Sequence, residues 1–352
     1  MLISRALEVH GENTQAAVRG FLGRLLEEGI VERLFLPGGL GTGPGALSHV
    51  IRTEDTLRAT DPLSPIMLDN SADGLRKAMQ AEPDKRYGAL LRPCEGRTVV
   101  EMAKRGWFDL DRVVLIGVDC IATYPGGDAI FESPEYEDLH EHLLRESLEH
   151  ARRGVPEPKE GARLTCRLCE RPAPDYQAVD ITLGLIGVDN SHLVLVQAEE
   201  AEDERLKLVK MSDRVASERE TVDREIALWR LCERRKEAAD ILLTELGLAD
   251  ASMSVIAGYF GKCTLCGECL QSCPVCSEEL WSALRRGRHS FVTAWICESL
   301  RLASCSGCGA CQAHCPEGIP LSAISRALSR QVQGRMRYVP GRDVSEPLPW
   351  VS

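Results

Sequence analysis

No run of about 18 apolar residues occurs anywhere in this 352-residue chain, so no membrane-spanning helix is expected. Positive charge is also short: 42 Lys and Arg stand against 53 Asp and Glu, a formal net charge of −11. That balance argues against a nucleic-acid binder, whose affinity comes mainly from neutralised phosphates. Residues 1–10 show no charged segment followed by an apolar one, so no secretory signal is read there and a cytoplasmic location is expected. Aromatics are few, at 5%, against 44% hydrophobic and 27% charged residues. The composition is that of a globular protein long enough for two or three domains. Cysteine is what the chain has in excess, with 15. In a reducing compartment clustered thiols usually mean metal.

Along the chain, residues 11–29 carry apolar side chains at helical spacing, and residues 30–36 read as a strand. A glycine-rich loop follows at 37–45, then a strand at 64–70 and a helix at 71–80. Short apolar runs at 87–91 and 112–118 read as strands, which makes the first half an α/β unit. Residues 133–154 are a charged helix and 154–161 a linker. Further strands are read at 180–188 and 192–197. Residues 199–247 read as one highly charged helix, solvated or facing a partner. Three domains are expected: an N-terminal α/β domain at 1–85, a second at 86–250 ending in the charged linker helix, and a cysteine-rich domain at 251–352.

The cysteine spacing in the last domain is the most specific signal. Cys263, Cys266, Cys269 and Cys273 follow C-x2-C-x2-C-x3-C-P, and Cys305, Cys308, Cys311 and Cys315 repeat it. This is the ligand run of two-cluster ferredoxins, in which the fourth cysteine serves the other cluster. One [4Fe–4S] cube is therefore expected on Cys263, Cys266, Cys269 and Cys315, the second on Cys305, Cys308, Cys311 and Cys273. Structural zinc rarely uses eight cysteines in a doubled three-plus-one pattern. The 31 residues between Cys273 and Cys305 make a helix-like insertion, so the domain is a helical dicluster ferredoxin-like unit. It resembles the C-terminal dicluster modules of heterodisulfide-reductase and flavin-linked hydrogenase subunits.

Four more thiols lie upstream. Cys166 and Cys169 form a CxxC, open on its own to zinc, disulfide exchange or cluster ligation. Cys94 and Cys120 sit singly at strand ends, where a free Cys is often a small buried hydrophobe. Together they number four, enough for one further cube.

These elements resemble the coenzyme F420 hydrogenase/dehydrogenase β-subunit family. The resemblance is carried by Pro93-Cys94, by Gly117 to Cys120, by Cys166 and Cys169, by Val179-Asp180-Ile181 and by Gly184 to Gly187, in that order. It covers about residues 10–245. The resemblance implies an α/β (α+β) flavin-binding catalytic unit, with FAD beside a [4Fe–4S] cluster on Cys94, Cys120, Cys166 and Cys169. With the ferredoxin-type pair that makes three [4Fe–4S] clusters. A flavin takes a hydride as two electrons, and a cluster passes one at a time. The function so implied is an oxidoreductase subunit linking coenzyme F420, or a similar hydride carrier, to a partner hydrogenase, formate dehydrogenase or heterodisulfide-reductase-like subunit. A flavin-free electron relay and a CxxC-based disulfide reductase are the alternatives. The family often places its ferredoxin module at the N-terminus, whereas here it is C-terminal.

Gly11, Asn13 and Thr14 are the candidate flavin-diphosphate contacts, since they lead into a helix N-terminus; the same residues equally make an ordinary capped helix start. The loop at 38–45 lacks the G-x-G-x-x-G context of a dinucleotide site and reads as surface. Asp180 either positions the flavin or the cluster loop, or caps a strand. Cys232 and Cys297 are read as packing, and Cys276 as an alternative ligand to Cys273. His314 is expected to donate to a cluster sulfur, and Arg285, Arg286 and Arg288 to form a solvated or docking face.

Overall fold

The computed structural model describes residues 2–36, 49–67, 69–125, 136–155, 161–199, 203–250, 252–276 and 301–349. The loop at 37–45, most of the 154–161 linker, Cys297 and Arg285, Arg286 and Arg288 lie outside them.

The strands are β1 (Leu2–Glu8), β2 (Arg33–Leu36), β3 (His49–Ile51), β4 (Ile66–Met67), β5 (Tyr87–Leu91), β6 (Val113–Val118), β7 (Tyr124–Pro125), β8 (Ile181–Gly184), β9 (Leu193–Glu199) and β10 (Arg214–Val215). Eight of them form one sheet in the order β10-β1-β9-β8-β6-β5-β2-β3. The central neighbours β8, β6, β5 and β2 are mutually parallel, while β9 runs antiparallel between β8 and β1. The short β4 and β7 pair separately.

The helices of this unit are α1 (Thr14–Glu27), α2 (Glu54–Arg58), α3 (Ser71–Ala81), α4 (Pro93–Ala103), α5 (Tyr136–Arg153), α6 (Leu164–Arg167), α7 (Asp203–Lys210) and α8 (Glu218–Glu245). Side chains alternate across the sheet with the two-residue period of a strand. Leu34, Leu90, Val114, Ile116 and Val118 enter one core with Val18, Phe21, Leu22 and Leu25 of α1. Phe35, Ala89, Leu91, Val113 and Leu115 enter another with Leu75 and Met79 of α3 and Val99 and Met102 of α4. Both faces are covered, which is why the central strands read as continuous apolar runs.

Three expectations change. The boundary expected near residue 85 falls inside this sheet, because β2 and β5 are parallel neighbours and β1 pairs with β9 along its whole length. Residues on both sides of it share one core. The strands expected at 64–70 and 180–188 shorten to β4 and β8. The single charged helix expected at 199–247 is broken: β10 pairs with the edge of β1, and Ser217 opens α8 through a reciprocal cap with Glu220. Nor is α8 merely solvated. Arg224, Leu228, Leu231, Arg235, Ala239 and Leu243 bury one face of it at spacings of three and four.

The C-terminal region adds α9 (Met253–Phe260), α10 (Glu268–Gln271), α11 (Ala310–Ala313) and α12 (Leu321–Met336). Ile319, Leu321, Ile324 and Ala327 pack on Ala239 and Leu243 of α8. The end of the chain returns to α4. Tyr338 hydroxyl and Gly341 N–H both donate to buried Glu101, the latter at 2.9 Å, and Arg105 donates to Ser304 at 2.7 Å. Among the described residues no helix is long and apolar enough to cross a membrane.

Candidate functional site

Ligand sites of open parallel sheets lie beyond the carboxyl ends of the strands. Two of the upstream cysteines emerge there. Cys94 follows β5 as the second residue of α4, and Cys120 follows β6. The cap of α4 is made locally: Glu95 accepts from Arg92 N–H at 2.8 Å and from Ser71 hydroxyl at 2.7 Å. Pro93 occupies the first helical position, which needs no N–H.

Cys120 is held from both sides. Its N–H donates to Pro172 carbonyl at 2.8 Å. The preceding Asp119 is fully enclosed with Arg224 of α8, which grips its carboxylate with two nitrogens, one at 3.0 Å. Asp119 also accepts from Leu185 and Ile186 N–H at 2.8 and 2.9 Å. Gly117 leaves no room for a side chain: a Cβ there would stand 2.6 Å from Pro174.

Cys166 lies in α6 and Cys169 just after it. Thr123 N–H lies 3.3 Å from Cys166 Sγ, and Thr123 hydroxyl 3.2 Å. The four thiols of Cys94, Cys120, Cys166 and Cys169 line one cavity of about 380 Å³, together with Arg92, Arg163, Arg171, Arg235 and Cys308. Burial pushes the Cys94 thiol well above its ordinary range, with Glu95 adding to it. Burial and the neighbouring Cys166 push Cys120 up to about 12. For Cys169 burial acts upward too, but Arg97 and Arg235 outweigh it and the net shift is downward.

The donor set suits an iron–sulfur cube. Four thiols surround a space, coordination deprotonates a thiol outright, and a thiolate-bound cluster is anionic. The cavity wall supplies cations for it: Arg163 is only 8% exposed, and its two terminal nitrogens have no hydrogen-bond partner. Among the described residues no three His, Cys, Asp or Glu gather as a single-ion site.

The ferredoxin-type cysteines sort into two crossed groups. After burial, the charges acting on Cys269 are those of Arg301, Cys315, Cys263 and Cys266. Those acting on Cys311 are Cys308, Arg301, Cys273 and Cys305. The fourth cysteine of each run thus stands with the other group. Cys276 contacts Cys273, whose thiol this hydrogen bond holds down at about 6.

The second ferredoxin run is stitched onto the upstream site. Thr165, beside Cys166, donates to Gly307 carbonyl at 2.7 Å. Thr98 hydroxyl lies 2.7 Å from Ser306 hydroxyl and donates to Cys94 carbonyl at 2.8 Å. Gly309 takes φ +73°, and a Cβ there would come within 2.5 Å of Thr165.

Other expected residues do not join. Asn13 caps its own helix, accepting from Ala16 N–H at 2.9 Å. Thr14 is buried and donates to Asn190 carbonyl at 2.7 Å. Both side chains are thus engaged in the fold, and Gly11, Asn13 and Thr14 do not line the cysteine cavity. Asp180 ties β8 to β6 by accepting from Leu115 N–H at 2.7 Å and does not line the cysteine cavity. Both ring nitrogens of His314 are spent away from sulfur, one 3.3 Å from Asp69 and one 3.0 Å from Ala310 carbonyl. Cys232 is half-buried beside Leu228 and Leu231 of α8. A second cavity, of about 450 Å³, shares Arg92, Cys120 and Ala122 with the first, and its wall mixes apolar Leu63, Leu144 and Leu148 with polar Ser64, Asp119 and Ser147.

The arginines were missed by reasoning on cysteines alone. Their signal is in the text, since Arg92 and Arg97 flank Cys94, and Arg163 and Arg171 flank the CxxC.

A fold with a sheet-edge thiol cavity joined to two ferredoxin-type runs defines an iron–sulfur protein, and residues 259–319 match the 4Fe-4S dicluster domain. Over most of its length the chain is similar to the F420-dependent formate dehydrogenase subunit beta of Methanocaldococcus jannaschii. It is 24% identical over 298 residues, covering 75% of this chain and 76% of that one. A subunit beta of F420-dependent formate dehydrogenase 1 from Methanococcus maripaludis is 26% identical over 191 residues, 49% of this chain and 47% of that one. A chain of the F420-reducing [NiFe] hydrogenase complex from Methanosarcina barkeri aligns over 70% of this chain and 91% of its own, with a TM-score of 0.47 at 14% identity. The resemblance drawn from the sequence is borne out, and the relatives are oxidoreductase subunits.

Proposed function

We propose that this chain is the electron-transfer subunit of a cytoplasmic oxidoreductase complex, passing electrons between a hydride carrier of the coenzyme F420 type and a partner redox subunit of the formate dehydrogenase or hydrogenase kind. The observation that carries the reading is the thiol cavity at the carboxyl edge of the sheet, walled by Cys94, Cys120, Cys166 and Cys169 and shared with Cys308. Those four cysteines hold a proximal [4Fe–4S] cube, and the eight ferredoxin-type cysteines hold two more in the crossed sets given above. FAD belongs to this reading as the group that exchanges a hydride's electron pair for single electrons. The cavity that shares Arg92 and Cys120 with the thiols is the place proposed for its ring. The protein's own residues do the rest. Arg163 and Arg235 offset the negative charge of a cube, Thr123 donates to the Cys166 sulfur, and the sheet edge and α8 keep water from the thiols.

Anaerobic purification with iron, zinc and flavin measured on one sample tests this. Three cubes require about twelve iron per chain with negligible zinc, and the flavin reading requires about one FAD per chain. About eight iron with zinc on the 166/169 pair removes the proximal cube. Absence of flavin in the presence of all three cubes reduces the chain to a relay.

A further inference from the structure

Behind the second cavity lies a buried acid–base pair that the electron path leaves unused. His140 of α5 and Asp61, in the loop after α2, are 2% and 6% exposed. His140 Nε2 stands 2.9 Å from Asp61 Oδ2, an oxygen that accepts no hydrogen bond among the described residues. The same ring nitrogen lies 3.2 Å from Ser64 hydroxyl. Gln15 of α1 fixes the carboxylate from its other side. Its amide N–H donates to Asp61 Oδ1, and its carbonyl accepts from Leu63 N–H at 3.1 Å. Burying an imidazole and a carboxylate is costly, and such a pair beside a cavity points to proton chemistry.

Ser64 joins the pair to the cavity. It stands on the cavity wall with Arg92 and Cys120. Its carbonyl accepts from Arg92 Nη2 at 2.7 Å. Its hydroxyl oxygen accepts from Ile66 N–H at 3.3 Å, which leaves the hydroxyl hydrogen for the ring. The other cation held close by is Arg19 of α1, on Thr60 carbonyl at 2.8 Å. On the far side, Leu139 and Glu141 flank His140 in sequence and are exposed. In a hydrolytic triad the hydroxyl meets one ring nitrogen and the carboxylate holds the other. Here both meet Nε2, which suits a nitrogen that gains and loses a proton rather than one that activates a nucleophile.

We propose that Ser64, His140 and Asp61 form a proton relay that takes up the proton left in the cavity when a hydride's electron pair passes to the proximal cube. The proposal rests on the reading of the second cavity as the place where that pair is divided. A hydride amounts to one proton and two electrons, and iron–sulfur centres pass single electrons, so each pair sent on leaves one proton behind. Ser64 hydroxyl hands its hydrogen to His140 Nε2 as it receives the cavity's proton. One O–H bond breaks, while one N–H and one new O–H bond form. Asp61 supplies the buried counter-charge for the imidazolium. Water at the α5 surface takes the proton from the ring, and reverse flow returns it through the same atoms.

The test uses the full chain with its clusters and FAD under anaerobic conditions. Infrared difference spectra between the oxidised and the electrochemically reduced chain are recorded with ordinary and with isotope-labelled histidine. Negative charge arriving in the cavity draws a proton onto the ring. The parent should therefore show a histidine band that moves with the label and that His140→Gln removes. The band should persist in Ser64→Ala, which cuts the path and keeps the acceptor. In a second arm reduced coenzyme F420 is mixed with the oxidised chain in a stopped-flow instrument, and cluster bleaching is followed across pH. A positioned acid–base group contributes about 10²–10⁴-fold, so His140→Gln should slow bleaching about a hundredfold and Ser64→Ala about tenfold. The parent rate should fall with acidity, because a ring already protonated accepts nothing; in His140→Gln the rate should be slow and flat with pH. Iron and FAD content should be unchanged. A parent without the histidine band, or a band that survives His140→Gln, overturns the relay. So do the parent's rate and pH profile in Ser64→Ala and His140→Gln. If His140→Gln loses iron or flavin, the labelled parent and Ser64→Ala decide. Failure of the underlying reading is seen separately, as a chain that carries its iron and no FAD.

Discussion

Eight of the cysteines assigned to clusters fall between residues 263 and 315 in two local runs, whereas the other four are scattered from 94 to 169. The first group needs only short loops to converge. Left-handed Gly267 and Gly309 turn the chain within each run. The second group needs a whole sheet. Cys94 and Cys120 are brought together because β5 and β6 are parallel neighbours that end at the same edge. The CxxC reaches them only because Arg163 N–H pairs with Thr123 carbonyl and Cys120 N–H with Pro172 carbonyl. Spacing specifies a site cheaply where the loop is short. A site drawn from distant segments is as fragile as the scaffold that gathers it.

The severest way to probe this difference is Asp119→Ala. It touches no cysteine yet leaves Arg224 buried without its carboxylate, and removing one partner of such a pair costs about 3–5 kcal/mol. Denaturant midpoints should fall accordingly, with proximal iron lost before ferredoxin-type iron. A variant as stable as the parent would show that the sheet edge does not depend on this pair.

Cys166→Ala comes next. It should remove about four of about twelve iron per chain and leave the ferredoxin-type cubes spectroscopically intact. A loss of about eight iron would mean that the proximal cube and its stitched neighbour stand or fall together. Gly309→Ala asks the same question from the other side. Its left-handed φ costs a Cβ-bearing residue about 1–2 kcal/mol, before any displacement of Thr165. Iron analysis and melting temperature should both respond, and an unchanged Cys166 environment would break the coupling.

Thr165→Val is milder. It removes one side-chain hydrogen bond to Gly307, worth about 1 kcal/mol. Clusters should remain, with a small drop in stability. The smallest effect belongs to Glu220, far from either cluster group. Its hydrogen bond from Arg214 holds its carboxyl down at about 2. The unfolded carboxyl titrates near 4.3, so this stabilisation is full above about pH 4.3 and is lost as pH falls through about 2. The pair is partly exposed, so Glu220→Gln should cost under about 1 kcal/mol at neutral pH and nothing at the acid end. Equal cost at both ends would assign the effect to the helix cap alone.

The iron–sulfur character, the C-terminal dicluster domain and the α/β core were legible in the chain itself, because spacing and two-residue apolar alternation are local properties. Helix α1, helix α3 and strand β5 stand close to where their apolar spacing places them. The role of the α1 N-terminus was not legible, because sequence cannot say whether a capping side chain such as Asn13 is spent on its own helix, as it is here. The unbroken helix at 199–247 was misread because charge density says nothing of an edge strand, and β10 exists only through its pairing with β1.

By itself the sequence determined which atoms are available: twelve thiols in a doubled local run and a scattered set, and arginines beside the scattered ones. Only the tertiary structure decided which thiols share a cavity, that Cys308 stands on its wall while Cys266 meets solvent, and that Asp119 and Arg224 lock the loop between β6 and the CxxC. The physical reason is range. Ligand spacing acts over a few residues of chain, whereas burial and charge pairing depend on neighbours far apart in it, 245 residues for the pair of Asp69 and His314.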